Sequence, residues 1–223
     1  MTLYYLIPLA GYLIGSISFA SLIARFHGVD LRSVGSGNPG AANVGRCLGK
    51  PWGYLCFVLD VLKGFGPTFA AGLLLQTSGN IPSTESQLIW VATAAGCLLG
   101  HIFSCFLRFR GGKGVATALG MLLGIWPYLA LPGLAALATW LLVVVWTRYV
   151  SLASMVGALI ATISFAPINA WLNGWDSVLE LWPLFTAVAS MALLVIVRHR
   201  TNLQRILAGT ENKIRLRGSK SSA

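Results

Sequence analysis

Seven apolar stretches, divided by short polar or glycine-rich connections, run along almost the whole chain. They cover approximately residues 3–24, 54–75, 88–107, 115–126, 129–147, 151–172 and 181–197. A hydrocarbon core of about 30 Å takes roughly 20 helical residues, so each stretch is a candidate membrane helix. The pattern predicts an all-α polytopic membrane protein of about seven transmembrane helices, with one integral membrane domain over residues 1–217 and a disordered tail over 218–223. The fourth stretch is short, and Trp126-Pro127-Tyr128 leaves little room for a turn before the fifth. A single bent hairpin or an incomplete crossing is the alternative there. Gly11/Gly15 and Gly96/Gly100 recur at four-residue spacing, which lets helices approach closely.

Charge supplies orientation. Of the 16 Lys and Arg residues, 15 fall in the first, third and fifth connections or in the C-terminal tail, and Lys63 lies inside the second span. The intervening connections carry none. Under the positive-inside rule the basic segments face the cytoplasm, the N-terminus is outside (periplasmic) and the C-terminus inside. Without two crossings by the fourth and fifth spans, the tally would break. The first apolar run lacks a positive n-region, with Arg25 and Arg32 following it, so it is expected to remain as a helix rather than be cleaved.

Composition agrees. Hydrophobic residues make up 56% of the 223 and charged ones 10%, against about 25% charged in soluble domains. The net charge of +10 is read first as anchoring to anionic lipid. Nucleic-acid binding is excluded, because no soluble domain remains to carry a basic face. Cys47, Cys56, Cys97 and Cys105 have neither CxxC nor mixed Cys/His spacing, so neither a disulfide nor a metal is expected, and no cofactor.

Three basic, glycine-bearing segments remain on the cytoplasmic side. Gly35-Ser36-Gly37-Asn38-Pro39-Gly40 matches GxGxxG, and Asp60 lies about 20 residues on. The dinucleotide fingerprint requires a βαβ unit, however, and this segment joins two membrane helices. What survives is a loop whose N–H groups can curl around an anion, with the hydroxyl of Ser36, the amides of Asn38 and Asn43, and the guanidinium of Arg46 beside it. A plain glycine turn is the simpler alternative for the glycines alone. Gly111-Gly112-Lys113-Gly114 is sharper, for it holds a cation on flexible backbone at a helix start, where free N–H groups favour phosphate. It is not a Walker A motif, since Gly114 stands where Ser or Thr is required. In the tail, His199 and Asn202 are three residues apart and predict one face of a helix leaving the last span, flanked by Arg198 and Arg200. Beside those cations His199 is expected to stay neutral near pH 7. A snorkelling helix end is the plain reading of that cluster. Residues 203–216 are expected to fray or lie at the interface.

Asp60 and Lys63, one turn apart within a span, read first as a mutually satisfied pair supporting the first loop, and otherwise as a functional flag. His101 is read as interfacial packing or a catalytic group, His27 as surface, and Trp126, Trp146, Trp171, Trp175 and Trp182 as an aromatic belt. No HxxxxD, no GxSxG and no carboxylate cluster suited to Mg²⁺ occurs, which disfavours acyl-enzyme and two-metal chemistry.

Taken together, GSGNPGAANVGR, GHIFSCFLRFRGGKGVAT and RHRTNLQRILAGTENKI, in this order, closely resemble the bacterial acyl-phosphate:glycerol-3-phosphate acyltransferase family. The resemblance covers the whole chain. It departs at Ala42, usually threonine, at Ser104, usually proline, and at Gly45, smaller than expected. Ala42 removes a hydroxyl, and the other two read as packing changes. The resemblance implies a multi-pass inner-membrane enzyme moving a fatty acyl group from acyl phosphate to the 1-hydroxyl of glycerol 3-phosphate, which gives lysophosphatidate and phosphate. It implies catalytic roles for Ser36, Arg46, Lys113, His199 and Asn202. It also implies that Gly35, Gly37, Asn38, Gly40, Asn43, Gly111, Gly112 and Gly114 form the phosphate-binding backbone. The rival class, a transporter for a phosphorylated solute, expects its site near the midplane rather than at one face.

Overall fold

The structure, a computed structural model, describes residues 2–75 and 81–214; the tail expected to be disordered, 218–223, lies outside them. The described residues form twelve α-helices and two short 3₁₀ turns, with no strand. In chain order they are α1 Ile7–Gly15, α2 Phe19–Phe26, α3 Ala41–Cys47, α4 Lys50–Leu74, α5 Thr84–Ile102, α6 Val115–Gly124, α7 Ala130–Thr147, α8 Val150–Ile163, α9 Phe165–Asn173, α10 Trp175–Glu180, α11 Trp182–Arg198 and α12 Arg200–Leu207.

By length and apolar composition five spans are long enough to cross a membrane, or six if the bent α11–α12 pair is one. The predicted fourth span fails this test, and the seventh meets it only when α11 and α12 are taken together. The helix of the fourth, α6, has ten residues, which is about 15 Å of rise. The turn over 125–129 follows it, and there Asn169 Nδ2 donates to the Tyr128 carbonyl at 3.0 Å. Outward-facing apolar residues such as Tyr54, Leu73, Leu142, Ile163 and Leu193 are exposed, the arrangement of a surface solvated by lipid. Trp126, Trp146, Trp171, Trp175 and Trp182 are likewise exposed.

Close backbone approach builds the bundle. α1 packs on α5 through the two predicted glycine pairs. A Cβ on Gly15 would overlap the Cys97 backbone, and one on Gly100 would overlap the Tyr12 carbonyl. α4 packs on α6, and α7 on α8. Trp90 Nε1 donates to the Thr68 carbonyl at 2.7 Å, tying α5 to α4.

The first predicted span is broken. α1 ends at Gly15 and α2 begins at Phe19, with Ser18 capping α2 by accepting from Ser21 N at 3.3 Å. A break inside a bundle strands carbonyls, and these must find donors. Ser104 Oγ donates to the Ser16 carbonyl at 2.6 Å and Lys63 Nζ to the Ile17 carbonyl at 2.7 Å. Ser104, where a proline was expected, therefore contributes a hydrogen bond rather than packing alone. Lys63 also lies 2.8 Å from Asp60 Oδ1, the buried pair the sequence suggested.

The four basic segments gather at one end of this bundle. Gly112 abuts the Pro39 carbonyl, Arg32 donates to the Arg110 carbonyl at 3.1 Å, and Ile214 N to the Arg148 carbonyl at 3.0 Å. At the other end Gln87 Nε2 donates to the Glu180 carbonyl at 3.0 Å.

Candidate phosphate site at the basic end of the bundle

The first loop is built around Asn43, buried on α3. Its Oδ1 accepts from Ser36 N at 2.8 Å, and its Nδ2 donates to the carbonyls of Leu31 and Val34, each at 3.1 Å. The amide is thus committed within the loop, so Asn43 shapes it rather than lending a free donor. Gly35, at φ +61, lies where a Cβ would overlap Asn43 Oδ1, so glycine is required both by backbone and by space. Gly37 is also at positive φ, whereas Gly40 is extended and begins α3. Ser36 is exposed on the rim, Asn38 is half-buried, and Arg46 is exposed in the last turn of α3.

The third loop turns back over the end of α5. Gly111 N donates to the Ile102 carbonyl at 2.9 Å and Gly112 N to the His101 carbonyl at 3.1 Å. A Cβ on Gly112 would collide with His101 Nε2 and come within 3.0 Å of the Pro39 carbonyl. Gly112 is therefore glycine because two loops and a buried imidazole meet there. Gly114, at φ +82, begins α6 and leaves Lys113 projecting from the turn before it.

The chain breaks again at His199, where α11 and α12 bend by 53°. The predicted single helix face is therefore a corner. Its Nδ1 faces the Val195 carbonyl at 2.8 Å. Because a carbonyl only accepts, the proton sits on Nδ1 and the lone pair of the neutral ring on Nε2. After α12 the chain reverses at Gly209 and returns to the site, in place of the expected frayed segment.

That return delivers a residue the motif reading left without a role. The carboxylate of Glu211 accepts from Asn202 Nδ2 at 2.6 Å, from Ser151 Oγ at 2.7 Å and from Arg205 Nε at 2.8 Å. Asn202 in turn accepts from Lys113 Nζ. With its Nδ2 held by a carboxylate, Asn202 must present Oδ1 to the ammonium. Glu211 was findable in sequence as the single carboxylate after residue 180, set in a run of cations. Arg205 and Ser151 carried no comparable signal. Arg198 reaches the Gly112 carbonyl at 3.1 Å and joins the third loop to α11.

Electrostatics follow from this crowding. Burial is the first cause that lowers the Lys113 ammonium from its usual value to about 8; Glu211 opposes the shift, and Arg205, Arg198 and Arg46 add to it. Burial works against the charge of Glu211, but the hydrogen bonds from Arg205, Asn202 and Ser151 outweigh it and hold the carboxyl below its ordinary value. Four cationic side chains thus act on one another around a single carboxylate that is already hydrogen-bonded, an excess of positive charge that favours an anion. Ser36 and Asn38 make no hydrogen bond to Lys113, His199 or Asn202 among the described residues; the first loop reaches the centre through Pro39 and the charge of Arg46. Among the described residues no group of three or more His, Cys, Asp or Glu is placed to hold a metal ion.

Next to Lys113, from Val115 onward, an apolar groove opens between α4, α6, α7, α8 and α11. Val115 and Val195 stand at its mouth, and Leu122, Ala136 and Ala161 at its far end. Four residues of α6 line it, from Val115 to Leu122, a rise of about 10 Å.

Known proteins with this sequence and shape can be compared at this point. Residues 5–209 match a family model described as glycerol-3-phosphate acyltransferase. The glycerol-3-phosphate acyltransferase of Aquifex aeolicus is 44% identical over 204 residues, covering 91% of this chain and 94% of its own. That of Ralstonia pickettii is 45% identical over 208 residues, covering 92% and 91%. A crystal structure of PlsY (YgiH), an integral membrane glycerol 3-phosphate acyltransferase, in its glycerol 3-phosphate form superimposes with a TM-score of 0.79 at 36% identity, over 95% of each chain. The lysophosphatidic acid form of the same protein gives 0.76 at 35%, over 94% of each.

Proposed function

The chain belongs to the glycerol-3-phosphate acyltransferase family, and on that premise we propose that its acyl donor is acyl phosphate and that the basic cavity around Lys113 is where transfer occurs. The 1-hydroxyl of glycerol 3-phosphate attacks the acyl carbonyl carbon, the new ester C–O bond forms, and the bond to the phosphate oxygen breaks. Lysophosphatidate and inorganic phosphate leave. The hydroxyl proton goes to a substrate phosphate oxygen or to Nε2 of His199, the ring nitrogen left with its lone pair.

One observation carries this reading: Lys113, Arg46, Arg198 and Arg205 lie close enough to act on one another, and the carboxylate among them, Glu211, is already hydrogen-bonded. Both substrates bring phosphate, so the site must bring several negative charges together, and fixed cations offset that repulsion. Acyl phosphate is already activated, which leaves the protein to position and neutralise. Ser36, Gly35, Gly37, Asn38 and Gly40 would close the cavity from the first loop, and Gly111, Gly112 and Gly114 would carry Lys113 into it. Asn202 orients the ammonium. The acyl chain lies in the groove that opens under Val115, and the cavity faces the cytoplasm, as the charge distribution favours.

The test is direct. Purified protein in lipid receives palmitoyl phosphate and glycerol 3-phosphate, while phosphate release and lysophosphatidate are followed together. Equal formation of both is expected, and Lys113→Ala should lower turnover by at least about a hundredfold, as loss of a transition-state contact does. Phosphate release without lysophosphatidate would overturn the reading in favour of hydrolysis. Binding of glycerol 3-phosphate without any turnover would turn it towards a transporter.

A further inference from the structure

A buried polar chain runs from the middle of the bundle to the loop that carries Lys113, and His101 is its last member. On α4, Asp60 Oδ1 lies 2.8 Å from Lys63 Nζ, both side chains fully enclosed. His101, in the last turn of α5, places Nδ1 3.8 Å from Asp60 Oδ1 and 3.1 Å from Thr117 Oγ1, in the first turn of α6. The other ring nitrogen, Nε2, is pressed against Gly112, so closely that no Cβ would fit between them. The backbone of the same histidine receives Gly112 N at 3.1 Å. Three helices and the loop therefore meet on one imidazole, and the next residue along the loop is Lys113.

Helix-end packing alone does not require this arrangement. A buried Asp–Lys pair adds little net stability over apolar residues of like volume, because desolvation offsets its Coulombic gain. Such a pair fixes direction, here that of the carboxylate facing the histidine. The histidine ring, hydrogen-bonded on its Nδ1 side to Thr117 with the Asp60 carboxylate 3.8 Å away behind it, then sets how near Gly112 can approach α5. Arg198 pulls the Gly112 carbonyl from the opposite side at 3.1 Å. Gly112 is thus clamped between α5 and α11.

We propose that His101 is a positioning residue for the phosphate site: it relays the placement of the buried Asp60–Lys63 pair to the loop, and so fixes where the Lys113 ammonium stands. The claim rests on the reading of this cavity as the glycerol 3-phosphate site. His101 touches no substrate in this role and acts through Gly112. Its loss loosens the cation rather than removing it, so the effect falls on substrate affinity ahead of the chemical step.

The experiment compares KM for glycerol 3-phosphate, kcat and the thermal midpoint in detergent for wild type, His101→Asn, His101→Gln and Thr117→Val. Asparagine keeps a polar atom near the Nδ1 position and vacates the place beside Gly112, whereas glutamine reaches that place. For His101→Asn the expected result is a KM raised about tenfold, with kcat within about twofold and an unchanged thermal midpoint. His101→Gln should recover most of the affinity. Thr117→Val drops the hydroxyl at near-constant volume and should raise KM in the same sense, which keeps the proposal testable should His101→Asn fail to fold. An unchanged KM with activity lost only in step with folded protein would overturn the relay, as would Asn and Gln behaving alike. A fall in kcat at constant KM would place His101 at the reacting atoms instead, and would also overturn it. Absence of glycerol 3-phosphate turnover in the wild type would sink the underlying reading, so the two failures are told apart.

Discussion

A lysine that ionises near pH 8 is a weaker phosphate clamp in alkali than an ordinary lysine. Burial and the neighbouring arginines lower Lys113 to about 8, so its charge is present below that pH and is lost as pH rises through it. kcat/KM for glycerol 3-phosphate is therefore expected to hold from pH 7 to about 8 and then fall, because that ratio reports the free enzyme. In Lys113→Arg, whose charge does not titrate in this range, the fall should vanish even if the absolute rate is lower. An unaltered alkaline limb in the arginine variant would show that another group sets it. At this scale the sequence was informative where glycine met a cation. Lys113 stood out because three glycines beside one lysine have no use in a plain loop. Asn43 was misplaced among the phosphate donors, because whether an amide faces a ligand or its own backbone depends on the fold of its loop.

At the level of elements, hydropathy located the apolar segments, of which five or six are long enough to cross a membrane, but could not see their breaks. The interruption at residues 16–18 strands backbone carbonyls, and its remedies come from far along the chain, Lys63 and Ser104; the corner at His199 is equally silent in hydropathy. Apolar composition is blind to such distant partners. The same reason hid the return of the tail, since residues 203–216 alternate apolar and basic positions like any interfacial segment. Glu211 makes that return productive by joining α8, α12 and Asn202. Its folded-state pKa is depressed, so the stability it contributes is present above its unfolded value and is lost as pH falls through the lower, folded one. Glu211→Gln at neutral pH imitates that loss. We expect about tenfold lower kcat/KM and a lower thermal midpoint, with the acid limb of the stability profile flattened. If the variant keeps the wild-type acid limb, other carboxyls govern acid unfolding.

For the molecule as a whole, the charge tally and the structure agree on which segments share an end, because alternation of connections is a global rule that survives local breaks. The short α6 was the one span whose length the sequence overstated; it ends at Gly124 before the turn that contains Pro127. The apolar groove had no sequence signature, being lined by residues from five helices that differ in nothing from ordinary core. Its far end nonetheless makes a whole-molecule prediction. Ala161→Phe should lower kcat/KM for palmitoyl phosphate about tenfold while sparing decanoyl phosphate, because the added ring fills depth that only the longer chain uses. Equal losses for both chains would place the acyl group elsewhere. The Lys63–Ile17 contact also bears on how this chain is made. A lysine and an aspartate in the second span burden its entry into the bilayer by roughly 2.5–3.5 kcal/mol each at the helix centre. The ribosome delivers the acceptor carbonyl of Ile17 46 residues before it delivers the ammonium. In the order of synthesis the acceptor at the break thus precedes α4, and His101 and Ser104 follow with the end of α5, so the contacts that close the interior run from the N-terminus onward.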